Sequence, residues 1–247
     1  MSGHSKWHNI RVKKGKMDSI RGKTFSKITK ELMVAARGGS NPEINNRLRV
    51  AIEKAKEVNM PAENIERAIK KGSGELEGVS YDEVFYEGYG PSGVAIMVEA
   101  LTDNKNRTTA EIRSLFSKYG GSLGENGCVS WIFDKKGVIQ VPGSFDEDKL
   151  MELVIECGAE DMIKENEYYT IFTIPQDLFE IKNTLEKNSV KTESVQVDMV
   201  PKNTIKLTGD KAVKLLKFLD ILEEQDDVQN IYSNFDIDEE EIKLIAS

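Results

Sequence analysis

Residues 84–101 read Val84-Phe-Tyr-Glu-Gly-Tyr-Gly-Pro-Ser-Gly-Val-Ala-Ile-Met-Val-Glu-Ala-Leu101, two apolar stretches joined by a glycine-rich segment. The segment Gly88–Gly93 matches GxGxxG, the fingerprint of dinucleotide-binding loops, which functions because a helix follows it and receives the pyrophosphate. Here the following run, Val94–Val98, is strand-like, and Pro91 lies inside the motif. The stretch therefore predicts a turn between two strands, and with it a sheet that contains antiparallel hairpins.

Strand-like runs and amphipathic helices continue from this hairpin towards the end of the chain. The helices are predicted at Thr108–Tyr119, Asp146–Cys157, Gln176–Lys187 and Asp210–Glu224. The strands are predicted at Val84–Glu87, Val94–Leu101, Val129–Asp134, Val138–Val141, Tyr168–Ile174, Ser194–Val200, Thr204–Leu207 and Val228–Phe235, with short turns at 134–137 and 201–203. This pattern favours α+β layers over a doubly wound parallel sheet, and it suffices for two ferredoxin-like β-α-β-β-α-β units.

The first seventy residues are typical of helices. Apolar residues recur at helical spacing between Phe25 and Ala36, and Asn41-Pro42 is expected to open a second helix. Met60-Pro61 opens a third, which is predicted to end at Gly72. The sequence therefore predicts a three-helix bundle with a basic arm, residues 1–16, in front of it.

Charge is distributed unevenly along the 247 residues. The net charge of −8 combines a balance of +10 over residues 1–71 with one of −18 over residues 72–247. The first 30 residues hold nine Lys and Arg but a single carboxylate, Asp18. Such a segment indicates a module for a polyanion, and nucleic acid is favoured over an acidic protein or a membrane surface.

Composition argues against membrane and secreted proteins. The longest apolar runs, 32–36 and 94–98, are five residues each, and a membrane span needs about 18 or more. The N-terminus lacks the apolar core of a secretory signal. Cys128 and Cys157 form neither a CxxC pair nor a disulfide framework. We therefore expect a protein of the reducing cytoplasm with no membrane partner.

Candidate catalytic and metal motifs are incomplete. Gly120-Gly-Ser122-Leu-Gly124 matches the GxSxG nucleophile elbow, but a helix precedes the serine where the elbow requires a strand. His4 and His8 have a zinc-like spacing, yet no cysteine is near them and the first carboxylate is Asp18. We expect no catalytic residue, no metal site and no cofactor, and a hydrolase that uses Ser122 is the weakest alternative.

The basic arm combines cations with aromatic rings. Lys and Arg suit phosphates, while Trp and His can stack on unpaired bases. The predicted nucleic-acid-binding residues are His4, Lys6, Trp7, His8, Arg11, Lys13, Lys14, Lys16, Arg21 and Lys23. Lys27 and Lys30 extend the basic character along the first helix. The arm shows no clear recognition-helix pattern for the major groove, so its residues favour irregular RNA.

Several motifs resemble the YebC/PmpR family. They are Ser2-Gly-His-Ser-Lys-Trp7, Arg21-Gly-Lys23 with Phe25, Asn59-Met-Pro61 with Asn64-Ile-Glu-Arg-Ala68, Tyr86-Glu-Gly-Tyr-Gly-Pro91, Glu99-Ala-Leu-Thr-Asp-Asn104 with Asn106-Arg-Thr108, and Gly120-Gly121 with Leu123-Gly124. The similarity spans essentially the whole chain and is densest over residues 1–137. It implies three domains: the arm and helical bundle at 1–77, an α+β domain at 78–137 plus 205–247, and a second α+β domain inserted at 138–204.

The resemblance also implies a non-enzymatic regulator of gene expression. Members of the family are widely labelled probable transcriptional regulators, because some bind promoter DNA. Others, including a mitochondrial relative that activates translation of a cytochrome oxidase subunit, act on the ribosome and relieve stalling at polyproline. A DNA-binding transcriptional regulator is the first expectation, and a ribosome-associated translation factor that binds ribosomal RNA is the alternative. The oligomeric state is not determined by the sequence.

Overall fold

The structure, a computed structural model, describes residues 17–165 and 168–245. The helices are α1 Met17–Ala36, α2 Asn46–Glu57, α3 Ala62–Gly72, α4 Lys105–Lys118, α5 Glu147–Glu156, α6 Leu178–Lys187, α7 Gly209–Glu223 and α8 Glu239–Ile245. The strands are β1 Asp82–Tyr89, β2 Ala95–Thr102, β3 Ser122–Leu123, β4 Phe133–Pro142, β5 Asp161–Glu165, β6 Tyr168–Thr173, β7 Ser194–Pro201, β8 Ile205–Lys206, β9 Val228–Ser233 and β10 Phe235–Asp236. Residues 132–203 form one compact unit, and the described residues before and after them form the other. None of the helices in the described ranges is long and apolar enough to cross a membrane.

Helices α1, α2 and α3 form the predicted N-terminal bundle. Buried residues of its core are Leu32, Leu48, Ala51, Ala55 and Ala68. The second helix begins at Asn46 and not at the predicted Asn41-Pro42, because Asn45 caps it. The side-chain oxygen of Asn45 accepts a hydrogen bond from the backbone N–H of Leu48 at 3.0 Å, and its amide donates to the carbonyl of Ala35 at 2.8 Å. Asn45 thereby ties the start of α2 to the end of α1.

Strands β1, β2, β3 and β9 form an antiparallel sheet in the order β3-β1-β2-β9. Alternate residues of β2, Ile96 and Val98, belong to one core with side chains of α4 and α7. In that core Phe116 of α4 and Phe218 of α7 meet edge to face, with ring centroids 5.0 Å apart. Strands β8 and β10 form a separate parallel pair.

The glycine segment Gly88–Gly93 leads from β1 to β2 through a turn, as its sequence predicts: Gly88 and Tyr89 end β1, and residues 90–94 form the turn. Tyr89 pairs with Ala95 across the hairpin, and Ser92 in the turn has a positive φ of 63°. Gly88 is needed for a different reason, since a Cβ at this position would lie 2.4 Å from the carbonyl oxygen of Ser122. The edge strand β3 can therefore pair with β1 only where residue 88 has no side chain.

Strands β4–β7 and helices α5 and α6 form the unit 132–203. Their connectivity is β-α-β-β-α-β and the sheet order is β5-β6-β4-β7, which is the ferredoxin-like arrangement. Its buried residues include Ile139, Leu150, Ile171 and Leu185. The other sheet differs in connectivity, because its β1–β2 hairpin precedes its first helix. The predicted class, a multi-domain protein with a helical bundle followed by α+β layers, is confirmed.

Two sequence predictions near β4 are wrong. Residues Ser130–Ile132 form a short 3₁₀ turn where a strand was expected, and the predicted turn at 134–137 is part of β4. Residues 133–136 pair with β7 alone, because the pairing of β6 with β4 covers only 137–142. A two-stranded ribbon leaves much of both faces open to solvent. The strand therefore tolerates the polar residues that led the sequence to predict a turn at 134–137. The turn at 201–203 joins strands of different sheets and forms no hairpin.

Candidate nucleic-acid interface

The predicted nucleic-acid contacts fall mainly at the start of the chain. Most of them lie outside the described residues, namely His4, Lys6, Trp7, His8, Arg11, Lys13, Lys14 and Lys16. Arg21 lies in α1. Lys23, also in α1, is exposed, and its ammonium donates a hydrogen bond to the carbonyl oxygen of Glu224 at 3.3 Å.

Lys23, Lys27 and Lys30 form one row along α1, because they are spaced four and three residues apart. Their ammonium groups reach the C-terminal end of α7. Lys27 Nζ lies 2.7 Å from the carbonyl oxygen of Glu223, and Lys30 Nζ lies 3.0 Å from that of Asp226. The last carbonyls of a helix lack intrahelical partners and carry the negative end of its dipole, so ammonium groups stabilise them. The row therefore attaches the helical bundle to α7.

Asp227 is the centre of this attachment, and its side chain is only 9% exposed. Its carboxylate accepts hydrogen bonds from Lys30 Nζ at 2.8 Å, Arg107 Nη2 at 2.7 Å and Thr108 Oγ1 at 2.8 Å. Burial alone would raise the pKa of Asp227, but the bonds from Lys30, Arg107 and Thr108 outweigh it and lower the pKa to about 2. Asp227 is therefore a carboxylate at any physiological pH, and it joins α1 to α4.

A second bridge joins the bundle to the sheet. Arg47 of α2 binds both carboxylate oxygens of Glu83 at the start of β1. The neighbouring carboxylate of Glu99 accepts hydrogen bonds from Asn230 Nδ2 at 2.8 Å and Tyr232 Oη at 2.9 Å. Burial raises the pKa of Glu99; the two hydrogen bonds oppose this, and the charge of Glu83 adds to it. Burial therefore favours the protonated form of Glu99 more than that of an exposed glutamate.

Glu87 of β1 holds the loop that follows β3. Its buried carboxylate accepts hydrogen bonds from the backbone N–H groups of Gly127 at 2.9 Å, Val129 at 2.9 Å and Ser130 at 2.8 Å. Burial raises the pKa of Glu87, but these three bonds outweigh it and lower the pKa. An ionised carboxylate thus fixes the backbone of the loop, because each bond to it is charge-assisted.

Two exposed aromatic rings lie at this loop, and sequence reasoning missed both. Trp131 is 62% exposed and Tyr89 is 39% exposed. Trp131 Nε1 donates to the carbonyl oxygen of Cys128 at 3.1 Å, and Tyr89 Oη donates to the same oxygen at 3.2 Å. The exposure of Trp131 was missed because the sequence predicted a strand over Val129–Asp134, and a strand does not single out Trp131 as an exposed residue. A tryptophan that follows a glycine-rich, polar stretch is the signal that could have found it.

The weaker chemical alternatives gain no support from the geometry. Ser122 lies in the two-residue edge strand β3, and both histidines of the chain precede the described residues. Within residues 17–165 and 168–245, no group of three or more His, Cys, Asp or Glu side chains is arranged to hold a metal ion. Cys128 and Cys157 are free and half-buried, and burial raises the pKa of each thiol. Both thiols are therefore protonated and weakly nucleophilic at neutral pH.

The two parts of this architecture match two domain families in order. Residues 5–75 match the TACO1/YebC protein N-terminal domain, and residues 81–235 match the TACO1/YebC second and third domain. The chain belongs to the TACO1/YebC family. The resemblance to YebC/PmpR proteins that the motifs indicated is thereby confirmed, and the matches cover both the bundle and the α+β layers.

Relatives of this TACO1/YebC chain align along nearly its whole length. A protein of Sulfurihydrogenibium sp. (strain YO3AOP1) is 58% identical over 243 residues, which cover 97% of each chain. A protein of Persephonella marina is 56% identical over 250 residues, covering 100% of both chains. Both are named probable transcriptional regulatory protein. The crystal structure of a conserved hypothetical protein from Aquifex aeolicus is 53% identical, with a TM-score of 0.80 over 90% of this chain and 93% of that one.

Proposed function

We propose that this protein is a non-enzymatic regulator of gene expression that binds nucleic acid through its basic arm. The single observation that carries the proposal is the excess of nine cations over one carboxylate in the first 30 residues. A solvated protein surface normally mixes both signs of charge, whereas a phosphate-binding segment does not. The names of the relatives, which describe transcriptional regulation, support the same function.

The contacts of α1 narrow the set of cations that are available to bind nucleic acid. Lys27 and Lys30 are engaged with α7 and Asp227, so their role is to hold the helix. The cations that precede this attachment are Lys6, Arg11, Lys13, Lys14, Lys16 and Arg21. Because α1 is fixed to the rest of its unit, the arm that precedes it is attached to a rigid support.

Duplex DNA is the first candidate partner, since the relatives are named transcriptional regulators. Ribosomal RNA is the second, and the composition of the arm favours it. Trp7, His4 and His8 stand among the lysines, and aromatic rings stack on unpaired bases that a duplex does not offer. Under the second candidate the protein acts on translation by contacting the ribosome, in the cytoplasm.

Deleting residues 2–16 tests the arm. The deletion removes Lys6, Arg11, Lys13, Lys14 and Lys16, so nucleic-acid affinity should collapse and its salt dependence should flatten. If all five cations contact phosphates, the slope of log K against log salt should become shallower by roughly 3 to 5. The double variant Lys70→Ala/Lys71→Ala, which removes two exposed cations at the end of α3, is the matched control and should retain both. Unchanged affinity and slope in the deletion variant, with unchanged circular dichroism, would show that the arm is not the contact.

Crosslinking in cells separates the two partners. The bound nucleic acid is sequenced after ultraviolet crosslinking of the full chain. Discrete promoter peaks support a transcriptional regulator, whereas enrichment of ribosomal RNA supports a translation factor. The variant lacking residues 2–16 provides the background for either result.

A further inference from the structure

We propose that Trp131 and Tyr89 form a stacking platform for an unpaired base of a single-stranded nucleic acid. The inference rests on the proposed function, because the arm contacts the phosphates and the platform adds a contact to a base. Trp131 lies 115 residues after the arm ends at Lys16, within the part of the chain whose net charge is negative. Composition alone therefore gives no reason to place a nucleic-acid contact there.

The polar atoms of both rings are already bonded. Trp131 Nε1 and Tyr89 Oη share the carbonyl oxygen of Cys128, at 3.1 and 3.2 Å. The shared acceptor brings Trp131 Nε1 and Tyr89 Oη to one backbone atom, and these two exposed side chains present an aromatic surface. Such a surface stacks on the π-face of a base and makes no hydrogen bonds to its edges. Proteins that bind single strands with little sequence preference use this kind of contact.

Hydrogen bonds hold the loop that precedes Trp131 before any ligand arrives. The carboxylate of Glu87 holds the backbone at Gly127, Val129 and Ser130. Gly124 permits a further close approach, since a Cβ there would lie 2.5 Å from Cys128 Sγ. Because the loop is ordered in advance, little conformational entropy is lost when a base stacks on it.

The surroundings of the rings favour a base over an apolar protein partner. The neighbouring loop residues Gly124, Glu125, Asn126 and Gly127 are all exposed, and none has an apolar side chain. Protein interfaces that use exposed aromatics place them in the centre of a larger apolar patch. Here the two rings are bordered by polar residues, and an aromatic surface of this small size suits a single planar ligand. A duplex cannot supply that ligand, because its bases are already stacked and paired.

The charges near the platform predict that it acts only together with the arm. Glu125 is exposed on the loop and Glu87 lies beneath it, so the site itself does not attract phosphates. Stacking on an aromatic side chain contributes a factor of roughly 5 to 150 in affinity per base. The platform should therefore strengthen a complex that the arm has formed, and it should discriminate single strands from duplex.

Trp131 fluorescence tests the inference directly. The chain has two tryptophans, so the variant Trp7→Phe leaves Trp131 as the only one. Full-length Trp7→Phe protein is titrated with a 12-nucleotide oligo(U), a 12-nucleotide oligo(dT) and a 12-base-pair duplex. We expect saturable quenching by the single strands and none by the duplex, and the tighter of the two single strands identifies the preferred sugar.

Variants provide the second readout. Trp131→Ala should raise the Kd for the better single strand roughly 5- to 150-fold, while Trp131→Phe should recover most of the loss. Phe85→Ala is the matched control, because Phe85 is also an exposed aromatic residue (41%) and lies about 13 Å from Tyr89 along β1. The control should leave the Kd unchanged.

The possible failures are distinguishable. If single strands bind in an arm-dependent way but neither Trp131 fluorescence nor the Trp131→Ala affinity responds, the platform is refuted and the proposed function stands. If the full chain binds no nucleic acid at all, the proposed function itself fails. If Trp131→Ala leaves the Kd for single strands unchanged but abolishes the binding of a protein that the native chain retains from nuclease-treated cell extract, the rings bind a protein and the assignment to a base is wrong.

Discussion

Replacing Asp227 with Asn tests how the helical bundle is held. The substitution keeps the shape of the side chain and removes its charge, while Lys30 and Arg107 keep theirs. In the native protein these two cations lie 2.8 and 2.7 Å from the carboxylate, and the side chain of Lys30 is only 13% exposed. The variant therefore leaves a largely buried ammonium group without its counter-charge.

The magnitude follows from the pKa of Asp227. Its fall from 3.8 to about 2 corresponds to about 2 kcal/mol of stability that the ionised carboxylate contributes at neutral pH. Breaking a buried ion pair by removing one partner costs about 3–5 kcal/mol, and the Asn oxygen retains some of the hydrogen bonding. We expect Asp227→Asn to lower the free energy of unfolding at pH 7 by about 2 to 4 kcal/mol. Because the folded-state pKa is lowered, the native contribution is present above pH about 4 and disappears as the pH falls towards 2.

Urea unfolding followed by far-ultraviolet circular dichroism measures the loss, at pH 7 and at steps down to pH 3. Hydrogen exchange of α1 shows whether the bundle is the part that loosens. Asp226→Asn is the matched control, because Asp226 is exposed and contacts Lys30 through its backbone carbonyl. A difference below about 0.5 kcal/mol between native and Asp227→Asn proteins at pH 7 would refute the reasoning, as would a gap that does not shrink below pH 4.

Two further predictions concern the sheet. Glu99→Gln should leave stability unchanged or higher at pH 7, because burial raises the pKa of Glu99 and its charge is costly in the folded state. Because the pKa of Glu99 is raised, the native protein gains stability as the pH falls, and the advantage of the Gln variant should vanish in acid. Thermal unfolding of both proteins at pH 7 and pH 4 checks this prediction. A difference in stability between them that is the same at both pH values would contradict it. Gly88→Ala should lower the free energy of unfolding by about 1–3 kcal/mol, because its Cβ would lie 2.4 Å from the carbonyl oxygen of Ser122. Gly22→Ala, with no atom within 4 Å of its Cβ, should be neutral or stabilising in the same urea titration, and equal losses in the two alanine variants would rule out the steric explanation.

Much of the fold could be predicted because its elements carry strong local patterns. The apolar residues before Ala36 recur at helical spacing, and the strand Ala95–Thr102 is an almost continuous apolar run; both elements lie where the sequence placed them. Strands β3 and β5 were missed, since the first has two residues and the second, Asp161–Glu165, is largely polar. Such strands form because a neighbouring strand offers a partner, and that information is absent from the local sequence.

The candidate site was less accessible to sequence reasoning. Lys30 and Asp227 are separated by 197 residues, so a row of lysines on α1 could only be read as a basic surface. The structure shows that part of this charge is used to hold the bundle in place. In the same way, Glu87 and Ser130 are 43 residues apart, so the local sequence gives no sign of the hydrogen bond that holds the loop next to Trp131.

The backbone N–H of Lys202 donates to the carbonyl oxygen of Ile132 at 2.8 Å, so the segment 132–203 begins and ends at the same place. A stretch of this length would ordinarily impose a loop-closure cost on the halves of the chain it separates. Once the segment has folded, that cost is already met, because its two ends emerge within hydrogen-bonding distance. The sheet formed by the residues on either side then assembles as if joined by a tight connection, and a linker of a few residues from Trp131 to Thr204 should suffice to replace residues 132–203.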